Sequence, residues 1–148
     1  MISFIYFLLD ATEEGWSKKH RDQDLILLIN LLHLISIKET KILIKEISKA
    51  LAPKGLSIIY GPFMRNGKLI SKGDMEFHYS LINADLNLGY KNDIDILNLF
   101  SEAGLPDGVF NVIQGDKTAV DKLLDNKIIS SISFVGSTPV AKYIYERS

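Results

Sequence analysis

From Asp24 to Gly61 the chain runs strand, capped helix, strand, and this order constrains the fold more than any other feature. Asp24-Leu-Ile-Leu-Leu-Ile-Asn30 has a continuous apolar centre, the mark of a strand buried in a sheet. Ser36-Ile-Lys-Glu39 is a capping box: the serine side chain can accept from the amide three residues on, and the glutamate can reach back to the serine amide. It predicts a helix over about 37–51, with Ile37, Ile44, Ile47 and Leu51 on or near one face and lysines between them. Ala52-Pro53-Lys54-Gly55 stops that helix, and Leu56-Ser-Ile-Ile-Tyr-Gly61 is the next strand. Strands joined through a helix pair in parallel, and a parallel sheet is covered by helices. Ile2 to Leu9, rich in β-branched and aromatic residues, reads as a further strand buried on both faces.

Pro62 to Gly73 is a long loop. Asp74 opens a helix to about Asn83, and another helix, about 93–103, carries Ile94, Leu97 and Phe100 inward. Gly104 ends it and Pro106 prevents its continuation. The pattern then restarts across Glu102-Ala-Gly-Leu-Pro-Asp-Gly108, which reads as a seam. A strand over 109–113, a turn at Gly115-Asp116, a helix over 118–125 and a strand over 129–135 follow. Gly136, Ser137 and Thr138 turn the chain into a helix that reaches Tyr145, with Pro139 in its first turn. The expected fold is α/β and Rossmann-like. A mostly parallel sheet of about five strands (2–9, 24–30, 56–61, 109–113 and 131–135) has flanking helices and is built from two partial nucleotide-binding units, 1–103 and 104–148.

Composition excludes several functions. The 148 residues contain no cysteine, so they hold no disulfide, thiolate metal site or cysteine nucleophile. A formal net charge of -1 gives no electrostatic case for nucleic acid or an anionic membrane. His20, His33 and His78 stand far apart in sequence with no metal-ligand spacing, so no metal site is expected. The Lys18-Lys-His-Arg-Asp22 cluster reads as a solvated loop. Met1 to Leu9 lacks the basic leader and cleavage site of a signal peptide. No run reaches the roughly 18 apolar residues of a membrane span, and the cytoplasm is the expected location.

Asn30-Leu-Leu-His33, Tyr60-Gly-Pro-Phe63, Arg65-Asn-Gly67, Phe77, Ser80-Leu81, Gly89 and Asp93 together resemble a methyltransferase-like family of unknown function (domain-of-unknown-function family nine-three-eight) over roughly residues 5–103. The family commonly has aspartate where His78 stands. The resemblance implies a class I methyltransferase fold entered midway and S-adenosylmethionine as cofactor. It implies that Asp10 ends a strand where a carboxylate accepts from the adenine amino group, and that Asn30 to His33 lie beside donor and substrate. The 148 residues lack the glycine-rich loop and the acidic strand end that hold the rest of that cofactor.

Ala103-Gly-Leu-Pro-Asp-Gly-Val-Phe-Asn-Val-Ile-Gln-Gly-Asp-Lys117 and Ser133-Phe-Val-Gly-Ser-Thr-Pro-Val-Ala-Lys-Tyr-Ile-Tyr-Glu146 resemble an aldehyde dehydrogenase of the methylmalonate-semialdehyde, CoA-acylating type. The resemblance implies NAD as cofactor. Gly115 would allow close approach to the dinucleotide, while Gly136, Ser137 and Thr138 would open a helix onto its pyrophosphate. A turn needing glycine and a cap for local reasons is the alternative. That family's nucleophile is cysteine, so no catalytic residue is expected within these residues.

The first expectation is therefore a hybrid fragment with no complete active site, whose parent activities are methyl transfer and semialdehyde oxidation. The alternatives are an NAD-binding α/β module, and a non-catalytic domain that self-associates through exposed sheet edges.

Overall fold

A computed structural model of the chain describes residues 8–104, 117–128, 132 and 137–147. They fall into two compact units, 1–111 and 112–148. In the first unit strand β1, Gln23–Ile29, leads to helix α1, Ile37–Ala50, and then to strand β2, Leu51–Tyr60. β1 and β2 pair in parallel with Leu25 opposite Leu56, Leu27 opposite Ile58 and Ile29 opposite Tyr60. A short strand β3, Phe63–Met64, pairs in parallel with β4, Lys91–Asn92, across helix α2, Lys72–Ala84. Helix α3, Asp93–Glu102, follows β4. The described residues thus form a mixed α/β structure with two small parallel sheets. Of the five expected strands, β1 and β2 are present. That over 109–113, that over 131–135 apart from Ile132, and that over 2–9 apart from Leu8 and Leu9 lie outside the described residues; Leu8 and Leu9, expected in a strand buried on both faces, are in no strand and are exposed.

The capping box forms as expected. The Glu39 amide donates to Ser36 Oγ at 3.2 Å, and the Ser36 amide donates to Glu39 Oε2 at 2.6 Å. The inward face of α1 is Thr40, Leu43, Ile44, Ile47 and Ala50. Ile37, expected on that face, is 49% exposed, because it occupies the first helical position, beyond the reach of the core. The core joins Leu43, Ile44 and Ile47 to Leu32, Ile35, Ile96 and Phe100, and each such buried side chain contributes about 1.5–3 kcal/mol. In α3 the inward residues are Ile96 and Phe100, one turn apart. Ile94, also expected inward, is instead 42% exposed. α2 is longer than the expected 74–83, because Ser71 caps it through a second capping box with Asp74.

The apolar run of β1 suggests a strand buried on both faces, but the structure covers one. Ile26, Leu28 and Ile59 pack against the core. Leu25, Leu27, Leu56, Ile58 and Tyr60 face away from it and are 44–55% exposed. Strand alternation separates the two sets, so an uninterrupted apolar sequence hides the difference.

Ala52 to Gly55 also does more than stop a helix. α1 ends at Ala50, and the four residues form a bulge inside β2, where the register jumps between Gln23 and Leu25. Lys54 takes a left-handed φ of +71°. A Cβ on Gly55 would lie 2.5 Å from the Gln23 carbonyl oxygen and 3.0 Å from that of Ala52. A bulge also accommodates Pro53, which cannot donate to a ladder.

A 3-10 turn at Trp16–Lys18 is tied to α1 by one buried carboxylate. Glu46 Oε2 accepts from the Ser17 amide at 3.1 Å and from Ser17 Oγ at 2.6 Å, while Lys49 Nζ donates to Oε1 at 2.7 Å. Burial pushes the Glu46 carboxyl up, but these hydrogen bonds outweigh it and hold it down at about 2. The charged cluster Lys18–Asp22 is largely exposed, as expected.

In the second unit, helix α4, Lys117–Leu124, and helix α5, Thr138–Arg147, are joined by polar contacts. Tyr143 donates its hydroxyl hydrogen to Asp121 Oδ1 at 2.6 Å. The Arg147 guanidinium donates to both carboxylate oxygens of Asp125 at 3.0 and 2.8 Å.

Two outcomes are expected. Gly55→Ala should destabilise the chain by about 1–3 kcal/mol through overpacking against backbone, seen as a lower urea midpoint; an unchanged midpoint would show that the bulge tolerates a side chain. Because the folded Glu46 pKa lies below its ordinary 4.5, the unfolded chain binds the extra proton. The stability from Glu46 is therefore complete above about pH 4.5 and is lost as pH falls toward 2. Denaturant titrations of Glu46→Gln across that window should show a shallower pH slope than the parent.

Candidate functional site

The carboxyl ends of β1 and β2 are where ligands sit in open parallel sheets. Asn30 ends β1 in a left-handed conformation, φ +53°, and its amide donates to the Tyr60 carbonyl at 2.8 Å. A 3-10 turn at Leu32–Leu34 then buries His33. The His33 ring meets Phe77 edge to face at 5.6 Å and Tyr90 at 6.3 Å, and Phe77 and Tyr90 meet at 6.1 Å. His78, on α2, contacts Tyr90 at 5.7 Å. The result is a cluster of two histidines, a phenylalanine and a tyrosine, drawn from the turn after β1, from α2 and from the start of β4.

Five hydrogen bonds secure it. The Gly89 amide donates to the His33 carbonyl at 2.9 Å. The Tyr90 amide donates to His78 Nδ1 at 3.0 Å, and the Tyr90 hydroxyl donates to Asp74 Oδ1 at 3.3 Å. Lys91 Nζ donates to the carbonyls of Ile35 at 2.7 Å and Gly89 at 3.0 Å. Burial pushes the His33 and His78 pKa values down, and the Lys91 charge adds to it. Burial also lowers Lys91, opposed by the Glu39 carboxylate. Both imidazoles are accordingly neutral at pH 7. Among the described residues no group of three or more acidic or histidine side chains could hold a metal.

The loop expected over 62–73 has its own structure. Arg65 and Lys68 form an antiparallel bridge, with Asn66 at φ +50° and Gly67 at φ +73° between them. That is the turn geometry that asparagine-glycine favours. The Asn66 amide donates to Asp93 Oδ1 at 3.0 Å, and the Gly67 amide donates to Asn92 Oδ1 at 2.7 Å. The motif residues Arg65-Asn66-Gly67, Phe77, Gly89 and Asp93, scattered in sequence, are thus brought into one region.

The remaining site candidates divide by unit. Asp10 is exposed, and its Oδ1 accepts from the Thr12 amide at 2.9 Å and hydroxyl at 2.6 Å. Gly115 and Gly136 lie outside the described residues. Ser137 and Thr138 stand at the start of α5, where the Ser137 carbonyl accepts from the amides of Val140 and Ala141. Sequence reasoning missed Tyr90 and Lys91. Their signal was Gly89, whose φ of +112° brings the backbone to within 3.1 Å of His78 ring atoms, measured from where a Cβ would stand.

These features define an α/β chain with a strand-end cluster of neutral histidines and aromatic rings. The chain belongs to the family described as Protein of unknown function (DUF938), whose model matches residues 5–109. The model of the Aldehyde dehydrogenase family matches residues 92–148, so the chain is a hybrid of the two families. The C-terminal part is similar to the malonate-semialdehyde dehydrogenase of Pseudomonas aeruginosa, 64% identical over 50 residues, which are 34% of this chain and 10% of that protein. It is also similar to the malonate-semialdehyde dehydrogenase 1 of Bacillus thuringiensis, 55% identical over 51 residues, again 34% and 10%. The chain spans about a tenth of the length of these curated relatives. Among the described residues no helix is long and apolar enough to cross a membrane.

Removing the Lys91 charge should relieve both histidines. Lys91→Met is expected to raise the His33 and His78 pKa values toward, but not to, the ordinary histidine range, since burial remains. Imidazole titrations by NMR check this, and unchanged values would show that Lys91 does not repel the imidazolium forms.

Proposed function

We propose that these 148 residues form a non-catalytic hybrid, in which neither parental reaction has a complete site. The observation that carries this reading is the absence of cysteine from the sequence, set beside the aldehyde dehydrogenase match. Oxidation through a thiohemiacetal needs a thiolate. Two family matches that overlap over residues 92–109 support a join at α3 or the seam after it, with 1–103 and 104–148 derived from different parents. β1 and β2 are then two strands of a Rossmann-like, mostly parallel sheet of about five.

A second reading rests on α5. Its amino-terminal end, opened by Ser137 and Thr138, carries a partial positive charge that favours a phosphate. With Gly115 and Gly136 this supports retained NAD binding in the second unit. S-adenosylmethionine is the corresponding ligand for Asp10, Asn30 and His33, and association through the open face and edges of β1 and β2 is the non-nucleotide alternative.

Thermal unfolding of the whole chain, with and without NAD or S-adenosylmethionine, tests these readings, alongside NADH absorbance with malonate semialdehyde. A ligand at 100 times its dissociation constant adds about 2.7 kcal/mol, a rise of roughly 5–10 °C at this size. The expected result is no NADH formation. A rise with NAD alone would support the second reading, no rise with either cofactor would leave the non-catalytic hybrid as it stands, and steady NADH production would overturn it.

A further inference from the structure

The segment from Asp85 to Asn92 is held to the rest of the first unit by few contacts, and one of them depends on a proton. Its own turn is local: the Asn87 amide and side chain both donate to Asp85 Oδ1, and the Leu88 amide donates to the Asp85 carbonyl. The segment is then fastened at three consecutive residues. The Gly89 amide reaches the His33 carbonyl, the Tyr90 amide reaches His78 Nδ1, and Lys91 Nζ bridges the Ile35 and Gly89 carbonyls. Of these only the second has an imidazole acceptor; the Tyr90 hydroxyl also donates to the Asp74 carboxylate, whose pKa the Ser71 hydrogen bonds hold below the ordinary range.

The geometry fixes the tautomer of His78. An imidazole nitrogen that accepts from an amide must carry a lone pair, so in the neutral ring the hydrogen sits on Nε2. Any further proton must therefore go to Nδ1. That changes an acceptor into a donor facing the Tyr90 N–H, and it places a positive charge near Lys91. His78 is 6% exposed, so water cannot easily replace the lost bond. The Gly89 backbone passes close over the ring, with His78 Cε1 and Nδ1 3.1 Å from the position of a Cβ, so the imidazolium cannot turn aside without moving that backbone.

The groups that face His78 do not offset the new charge. From β4 and the residue before it these are Lys91 and the Tyr90 ring, and from α2 itself Tyr79. Asp74, one turn before His78 on α2, accepts from the Tyr90 hydroxyl, and Glu39 acts on Lys91. Lys91 is the charge that acts on His78, and it opposes protonation.

We propose that His78 is a proton-operated latch. The neutral ring holds residues 89–92 closed over the strand-end cluster, and protonation at Nδ1 releases them. Release carries further than the loop. β4 leaves β3, where Lys91 is registered with Phe63. Asn92 then withdraws the carbonyl that anchors the Gly67 amide. The side of the cluster closed by Tyr90 opens, so that His33, 6% exposed in the closed form, becomes accessible from the strand end. Burial and the Lys91 charge both put the transition on the acidic side of the ordinary histidine range.

The test is amide hydrogen exchange of the whole chain, followed by NMR or mass spectrometry and corrected for the intrinsic pH dependence of exchange. His78→Asn is the informative variant, because its Oδ1 stands near the position of Nδ1 and accepts without titrating. In the parent, protection of the 89–92 amides should fall tenfold or more from about pH 7.5 to about pH 4.5. In His78→Asn it should change by less than about twofold over the same range. Equal loss in both proteins, or no loss in the parent, overturns the latch. Should the variant fail to fold, the imidazole nitrogen shifts of the parent decide: hydrogen on Nε2 at neutral pH, with Nδ1 protonating as residues 89–92 lose protection, supports it, and hydrogen on Nδ1 at neutral pH overturns it.

Discussion

The parallel pairing of β1 with β2 is the constraint on which the first unit depends. Parallel strands cannot be joined by a tight turn, so the chain must travel back along the pair before it can register again. α1 makes that journey, and in doing so must lie against one face of the two strands. The core follows from this: Leu43, Ile44 and Ile47 on the helix meet Ile26, Leu28 and Ile59 on the covered face. The bulge at Ala52–Gly55 takes up the residues left between the end of the helix and the start of regular pairing. Glu46, on the same helix, anchors the turn that precedes β1.

α3 is the physical link between the two family resemblances. Both family models include it, and its Ile96 and Phe100 complete the core built by α1. Ser48 of α1 donates its hydroxyl hydrogen to the Ala103 carbonyl at 3.0 Å, which satisfies one of the free carbonyls at the helix end. Gly104, at φ +91°, then turns the chain out of the helix. A join placed here leaves the first core intact, because the last residues that the core requires precede the seam.

The strand-end cluster gives physical content to a scattered sequence pattern. Asn66 and Gly67 make a tight turn whose amides are taken up by Asp93 and Asn92. Gly89, at φ +112°, takes a backbone conformation that favours glycine, and a Cβ there would stand in tight contact with the His78 ring, 3.1 Å from Cε1 and Nδ1. Phe77 and Tyr90 pack edge to face on His33, and burial with the Lys91 charge pushes the pKa of both histidines down. The motif residues therefore preserve a geometry around two imidazoles, and the chemistry of the region is that of neutral nitrogen bases among aromatic rings.

Local signals identified the elements well. Asp24–Asn30, the Ser36–Glu39 cap, the strand over 56–61, Gly104 and helices over about 74–83, 93–103, 118–125 and from Thr138 to Tyr145 could be read directly, since each depends on neighbours within one turn or on a period of two. The absence of thiol chemistry was also legible, being a matter of composition. Which face each element buries was not. Ile37 and Ile94 are as apolar as Ile44 and Ile96, yet only the second pair is buried. The apolar faces of β1 and β2 differ only in that α1 crosses one of them. The same limit hid Tyr90 and Lys91, whose roles come from residues 12 and 56 positions away. Sequence by itself determined the order of the main strands and helices and the absence of any thiol from the 148 residues. Tertiary structure alone decided which side chains lose water and which imidazoles stay neutral, because burial is a property of the packed elements together and not of any one of them.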